Sequence, residues 1–187
     1  LYVEDVFSTY LYDGTGAAHT ITNGIDLSGE GGLTWIKTRN TATFAWHSLS
    51  DTERGAGYIL RSDLTNAQNF DTAEFTSFNS DGFTVGNDAQ TNGSGRTYAS
   101  WTFRKAEKFF DVVTYTGDGT YGRALSHNLG AVPAVAIIKR TDGTGDWLVY
   151  HKDAADVFLE MTLRLNTTQV AEGTNYIFYG GSGALTD

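Results

Sequence analysis

Thr9-Tyr10-Leu11-Tyr12-Asp13-Gly14-Thr15 and Thr114-Tyr115-Thr116-Gly117-Asp118-Gly119-Thr120 are one phrase written twice, an aromatic strand running into an Asp-Gly turn. Three further pairs follow in the same order. Ile21-Thr22-Asn23-Gly24-Ile25 matches Leu125-Ser126-His127-Asn128-Leu129, Trp35-Ile36-Lys37 matches Ile137-Ile138-Lys139, and Phe44-Ala45-Trp46-His47 matches Leu148-Val149-Tyr150-His151. The offsets are 105, 104, 102 and 104 residues, so only small loop insertions separate the copies. Self-similarity at a nearly fixed period is the signature of one folding unit used more than once.

The spacing predicts a first copy from about Val6 to Phe103 and a second from about Phe109 onward, giving units at 1–105 and 106–187. The charged link Arg104-Lys105-Ala106-Glu107-Lys108 is too short for a flexible tether, so the copies are expected to touch. The segments Phe75 to Phe78, Gly82 to Val85 and Thr97 to Phe103 read as strands without clear partners in the second copy. That copy is therefore expected to be incomplete at its C-terminal side, frayed or completed by another segment.

Each copy reads as antiparallel β-structure. The 187 residues include 22 Gly, 10 Tyr, 11 Phe and 4 Trp, against a single Pro. Aromatic and β-branched residues suit a pleated, half-buried surface, and glycines supply the turns. Val6 to Tyr12 ends at Asp13-Gly14, and Leu33 to Lys37 places Leu33 and Trp35 on one face. Tyr98, Ser100 and Thr102 alternate with Ala99, Trp101 and Phe103. Ala134 to Ile138 is apolar on both faces and is expected to be a central strand. Strands at this spacing with Gly/Asn/Asp turns predict an all-β chain of two tandem β-sandwich units of jelly-roll or concanavalin-like form. Only Leu64 to Ala73 and Ala154 to Phe158 have room for a helical turn.

Composition narrows the chemistry. There is no cysteine, which excludes disulfides, thiolate metal sites and a cysteine nucleophile. A net charge of −9 repels phosphate backbones and anionic lipid, so neither nucleic acid nor membrane is an expected partner. No apolar stretch reaches the ~20 residues needed to cross a bilayer.

Catalytic patterns are weak. Asp51 with Glu53, and Asp71 with Glu74, lie in stretches that read as polar connections rather than as paired acids facing a cleft. Ser28, Ser80 and Ser94 sit in turns without a nucleophile elbow. The Asx-rich loops Asn79-Ser80-Asp81-Gly82 and Asn87 to Asn92 offer oxygens suited to Ca²⁺, although hairpins require the same residues. No cofactor is expected otherwise. The ligand-binding candidates are Trp46, His47, Trp147, Tyr150 and His151. Trp35, Trp46, Trp101 and Trp147, with Tyr98 and Tyr150, form a sugar-stacking platform if several face solvent, and Trp46 and Trp147 both flank loops. His47 and His151 occupy matched positions, which suits a strand-end hydrogen bond better than a metal site.

The runs FSTYLYDGTG, TITNGIDLSGEGGLTWIKTRN, DTERGAGYIL, TSFNSDGFTVGNDAQTNGSGRTYASWTFRKAEKFFDVVTYTGDGT and SHNLGAVPAVAIIKRTDGTGDWLVYHK resemble a tandem repeat domain of uncharacterised function. That domain occurs in tail-fibre-like and other virion structural proteins of tailed phages, especially marine and cyanobacterial ones. The resemblance spans nearly the whole chain and the link between copies. It implies location on a virus particle, with other virion proteins as partners, and it offers no established catalytic residues to carry over. The expected function is a non-enzymatic tail-fibre or receptor-binding module that recognises a host glycan or protein, trimeric if it belongs to a fibre. A head-decoration or adaptor protein and a glycan depolymerase are the alternatives.

Overall fold

Gly32–Thr38 and Thr97–Arg104 are extended because bulky and β-branched side chains alternate along them, and each strand gives its two faces different neighbours. In chain order the computed structural model contains α1 (Val3–Val6), β1 (Phe7–Asp13), β2 (His19–Thr22), β3 (Gly32–Thr38), β4 (Ser48–Asp51), β5 (Tyr58–Ile59), β6 (Asn69–Phe70), β7 (Ser77–Asn79), β8 (Gly82–Val85), α2 (Ala89–Asn92), β9 (Thr97–Arg104), β10 (Val135–Ile138), β11 (Leu148–His151), β12 (Met161–Arg164) and β13 (Glu172–Gly173). The structure describes residues 1–43, 45–120, 122–153, 161–169 and 172–173. The described chain is all-β apart from two single-turn helices, and its strand pairs are antiparallel.

Four sheets result, in the orders β1-β9-β3-β4, β2-β8-β7, β5-β6 and β10-β11-β12-β13. The first two close on one core. Tyr12, Ile36 and Tyr98 from the larger sheet meet Ile21, Phe83 and Val85 from the smaller, with Ile25, Leu27, Ile59 and Phe75 filling the rim. Tyr12 and Tyr98 stack at 5.1 Å, and their hydroxyls donate to the carbonyls of Thr91 (2.6 Å) and Ala89 (2.8 Å) in α2. A buried phenol needs such a partner.

The inward face of β3 and β9 is not the more apolar one. Thr34, Ser100 and Thr102 are fully buried, while Leu33, Trp35, Trp101 and Phe103 lie on the opposite, half-covered face. At the β7–β8 hairpin, Gly82 has φ 151°, and a Cβ there would fall 2.0 Å from the Ile21 carbonyl oxygen, so no other residue fits.

The two halves meet, as the short link required. Trp147 is 5% exposed and packs with Leu49, Leu60, Leu33 and Trp35 of the first half. Its indole N–H donates to the carbonyls of Arg61 (2.8 Å) and Leu64 (3.2 Å). Lys105 in the link binds Glu53 (2.7 Å) and Asp111 (3.2 Å).

Four sequence expectations change. Leu64 to Ala73 contains β6 rather than a helical turn, and Ala154 to Phe158 lies outside the described residues. Among the described residues β10 lies at the end of its sheet rather than at its centre, with Val135 and Ile137 47% and 48% exposed. The histidine correspondence fails as well. Trp35 faces Leu49 and Ile137 faces Val149, while equivalent closing bonds run from Thr52 N–H to Gly32 (3.0 Å) and from Lys152 N–H to Ala134 (2.9 Å). With Trp35 aligned on Ile137, Ser48–Asp51 rather than Phe44 to His47 falls opposite Leu148–His151 in the alignment, because the connection in the second hairpin is shorter by two residues. Finally, Asp51 and Glu74 are buried rather than solvated, at 4% and 2% exposure.

Removing the Trp147 indole empties the seam. Trp147→Ala is expected to cost about 3–5 kcal/mol in chemical denaturation, the usual range for deleting a large buried aromatic side chain.

Candidate functional site

The outward face of the β1-β9-β3-β4 sheet carries a row of aromatic side chains. Cross-strand register sets Thr9, Trp101, Trp35 and Leu49 side by side. Trp35 meets Trp101 edge-on at 6.3 Å and His47 at 5.6 Å, and the next row brings Phe7 against Phe103 at 4.9 Å. Directly opposed residues on one sheet face touch in this way. The second half covers this face at the Leu33–Trp35–Leu49 end, where Trp147 docks.

Trp46 stands at the margin of that cover, 41% exposed. The Arg61 guanidinium carbon lies 5.9 Å from the centre of its ring, within cation–π range. Arg61 is itself fixed from below. It makes a two-pronged pair with Glu74, through Nη1 to Oε1 (2.5 Å) and Nη2 to Oε2 (2.6 Å), and its Nη1 also donates to Ser48 Oγ (2.6 Å). The Ser48 hydroxyl donates in turn to Glu74. Bidentate pairing fixes the plane of the guanidinium as well as its position, so the support beneath Trp46 is rigid.

His47 closes the arrangement. Its Nδ1 accepts from the Trp35 indole N–H at 2.7 Å, and its backbone N–H donates to Asp63 Oδ1 at 3.1 Å. A ring nitrogen that accepts is unprotonated. Burial accordingly lowers the His47 pKa from 6.5, opposed by the Asp63 charge and assisted by Lys37. Asp63 also lines a shallow cleft with Leu165, Asn166, Thr167 and Thr168. The result is a part-exposed indole whose neighbouring amide is bound by a carboxylate, and that carboxylate opens onto a cleft of polar side chains.

Of the five residues expected from sequence, three gather here. Trp46 forms the plate and His47 its wall, whereas Trp147 is buried in the seam beside them and offers no face to solvent. Tyr150 and His151 alternate along β11, so they fall on opposite faces of the second sheet and are not presented together. Tyr98 is core, with no exposure at all.

The other candidates have structural partners. Asp51 pairs with Arg54 (2.6 Å), Glu53 with Lys105 (2.7 Å) and Glu74 with Arg61, so each carboxylate faces a cation rather than another acid. Asp71 Oδ1 accepts from Ala73 and Glu74 N–H (2.8 and 3.3 Å). In the Asx loops, Asp88 caps α2 through Gln90 N–H (2.7 Å), and Asn92 binds Thr15, Ala17 and Gly86. Among the described residues no three His, Asp or Glu side chains converge as metal ligands. Sequence reading missed Arg61 and Glu74, thirteen positions apart on different connections. Nothing local announces that pairing.

An all-β chain with an aromatic outward face and a supported surface tryptophan is the class defined so far. The chain belongs to the family described as a domain of unknown function (DUF7483), whose family model matches residues 3–186. No curated protein and no solved structure gives a significant match.

Two outcomes follow from this geometry. Glu74→Gln leaves the Arg61 charge buried without its counter-ion and is expected to lose about 3–5 kcal/mol of stability on denaturant titration. The folded state holds His47 neutral while the unfolded chain takes up its proton near pH 6.5. The His47 contribution is therefore full above 6.5 and declines as pH falls from there toward the lower folded value. An NMR titration should show the Trp35 indole N–H resonance moving with a midpoint below 6.5, and His47→Gln should abolish that titration.

Proposed function

We propose that this protein is a non-enzymatic structural module of a phage virion, built from two β-sandwich copies and acting in a tail fibre or receptor-binding appendage that recognises host-surface glycan. The carrying observation is the Trp46 plate, 41% exposed and supported by Arg61, which Glu74 and Ser48 fix in place, with Asp63 bonded to the neighbouring His47 amide. A flat apolar ring next to fixed hydrogen-bonding groups matches a pyranose, which offers a C–H face and a rim of hydroxyls. Bracing lowers the ordering cost of binding. The acidic surface favours neutral or amino sugars over acidic polysaccharides. The resemblance to virion repeat proteins supports a particle-surface location, with other virion proteins as neighbours and a trimer as the fibre assembly.

Glycan-array binding followed by titration of the best neutral oligosaccharide tests the reading. Trp46→Ala is expected to weaken affinity about tenfold or more, as for a central aromatic anchor, with unchanged thermal stability. Equal binding by the wild type and Trp46→Ala would remove Trp46 from the site, and absence of binding across host envelope glycans would overturn the recognition role.

A further inference from the structure

We propose that His47 is a proton-operated latch on the seam between the two halves: neutral, it tethers Trp35 in the cluster that seats Trp147, and protonated, it releases Trp35 and loosens the docking of the second half. The inference rests on the seam and not on glycan recognition.

The tether works in one protonation state only. The Trp35 indole nitrogen can donate but not accept, and it lies 2.7 Å from His47 Nδ1. The neutral ring therefore carries its hydrogen on Nε2, and an added proton goes to Nδ1. Two donors then face each other at the same distance, and the ring must turn away. Trp35 packs with Leu33 against the cluster of Leu49, Leu60 and Trp147. Losing the tether frees one wall of that cluster. The bonds from the Trp147 indole to the Arg61 and Leu64 carbonyls involve no titrating group and persist. The seam slackens rather than dissolves.

Charge reaches His47 from β3 and from the connection after β5. Burial disfavours the charged ring most strongly, Asp63 favours it and Lys37 opposes it. Arg61 Nη1 lies 3.5 Å from the His47 carbonyl oxygen, but Glu74 matches its charge. Asp63 already accepts from the His47 backbone N–H (3.1 Å), and it lines the cleft that includes Leu165, Asn166, Thr167 and Thr168 of the second half. An imidazolium drawn to Asp63 disturbs the seam at that cleft as well as at Trp35. Release also returns the ring toward its ordinary proton affinity. Acid therefore favours the loosened state, by up to about tenfold per pH unit for a single proton.

The second half shows that the scaffold does not require a titrating pair at this place. Leu49 bridges Leu60 as Val149 pairs with Leu163. In that alignment His47 and Asp63 fall opposite Trp147 and Asn166. The same bond recurs there, from Trp147 N–H to Asn166 Oδ1 at 2.9 Å. An indole and a carboxamide thus hold the loop as an imidazole and a carboxylate do, and neither titrates near neutral pH. The first-half version adds a response to protons.

Hydrogen exchange of the full chain between about pH 7.5 and 5, with each rate normalised to its intrinsic value, tests the latch. The seam reporters are Gly145 N–H and Gln68 N–H, bonded to the Thr65 and Thr141 carbonyls (2.8 and 2.9 Å), and the Trp147 indole N–H. Their protection is expected to fall on the order of tenfold as pH drops below 6.5, while the β1–β9 amides keep theirs. His47→Gln, whose amide oxygen still accepts from Trp35, is expected to show no fall. Trp35→Phe, which leaves His47 nothing to release, is expected to lose the pH response by an independent route. Seam protection that stays level in the wild type, falls equally in His47→Gln, or falls together with the β1–β9 amides would overturn the proposal.

Discussion

The pairing of Arg61 with Glu74 is the constraint on which the site and the seam both depend. A carboxylate buried to 2% exposure requires a cation with matching geometry, and the forked guanidinium supplies two parallel bonds. Fixing Arg61 has consequences in three directions. Its side chain holds Ser48 at the start of β4, its guanidinium lies over Trp46, and its backbone carbonyl receives the Trp147 indole of the second half. A buried ion pair is weak evidence for net stability. Here it specifies where a surface aromatic and a neighbouring unit must sit.

The same sheet explains why its two faces are composed as they are. Thr34, Ser100 and Thr102 fill the inner side at one end, where Asn23 Nδ2 donates to Thr102 Oγ1 at 2.8 Å. Small hydroxyl residues let the loop carrying Asn23 approach closely. The aromatic residues displaced to the outer side then need cover, and Trp147 with Leu60 gives it at one end. Trp46, over which the Arg61 guanidinium lies, is left 41% exposed.

Much of this was legible from residues alone. The strand alternation of β1, β3, β8 and β9 appears directly, since a period of two with Gly and Asx punctuation has few other readings. Contact between the halves followed from the shortness of the Arg104–Lys108 link. Trp46 and His47 were legible as candidates because indole and imidazole next to a loop are conspicuous. The burial of Trp147 was not, because a tryptophan beside a loop reads the same whether it faces solvent or a neighbouring half. Nor was the Arg61–Glu74 pair, which forms through tertiary packing of two irregular connections. The alignment of His47 with His151 was misread for a related reason: a connection shorter by two residues shifts the alignment while leaving each local pattern plausible.

The central claim is that Trp147 is locked to the Arg61 carbonyl at the seam while Trp46 remains at the surface above the Arg61 side chain. Hydrogen exchange of the four indole N–H groups tests it in a single experiment. The account predicts slow exchange at Trp147 and at Trp35, whose indoles are bonded to the Arg61 carbonyl and to His47. Exchange at Trp147 as fast as in the unfolded chain would contradict it.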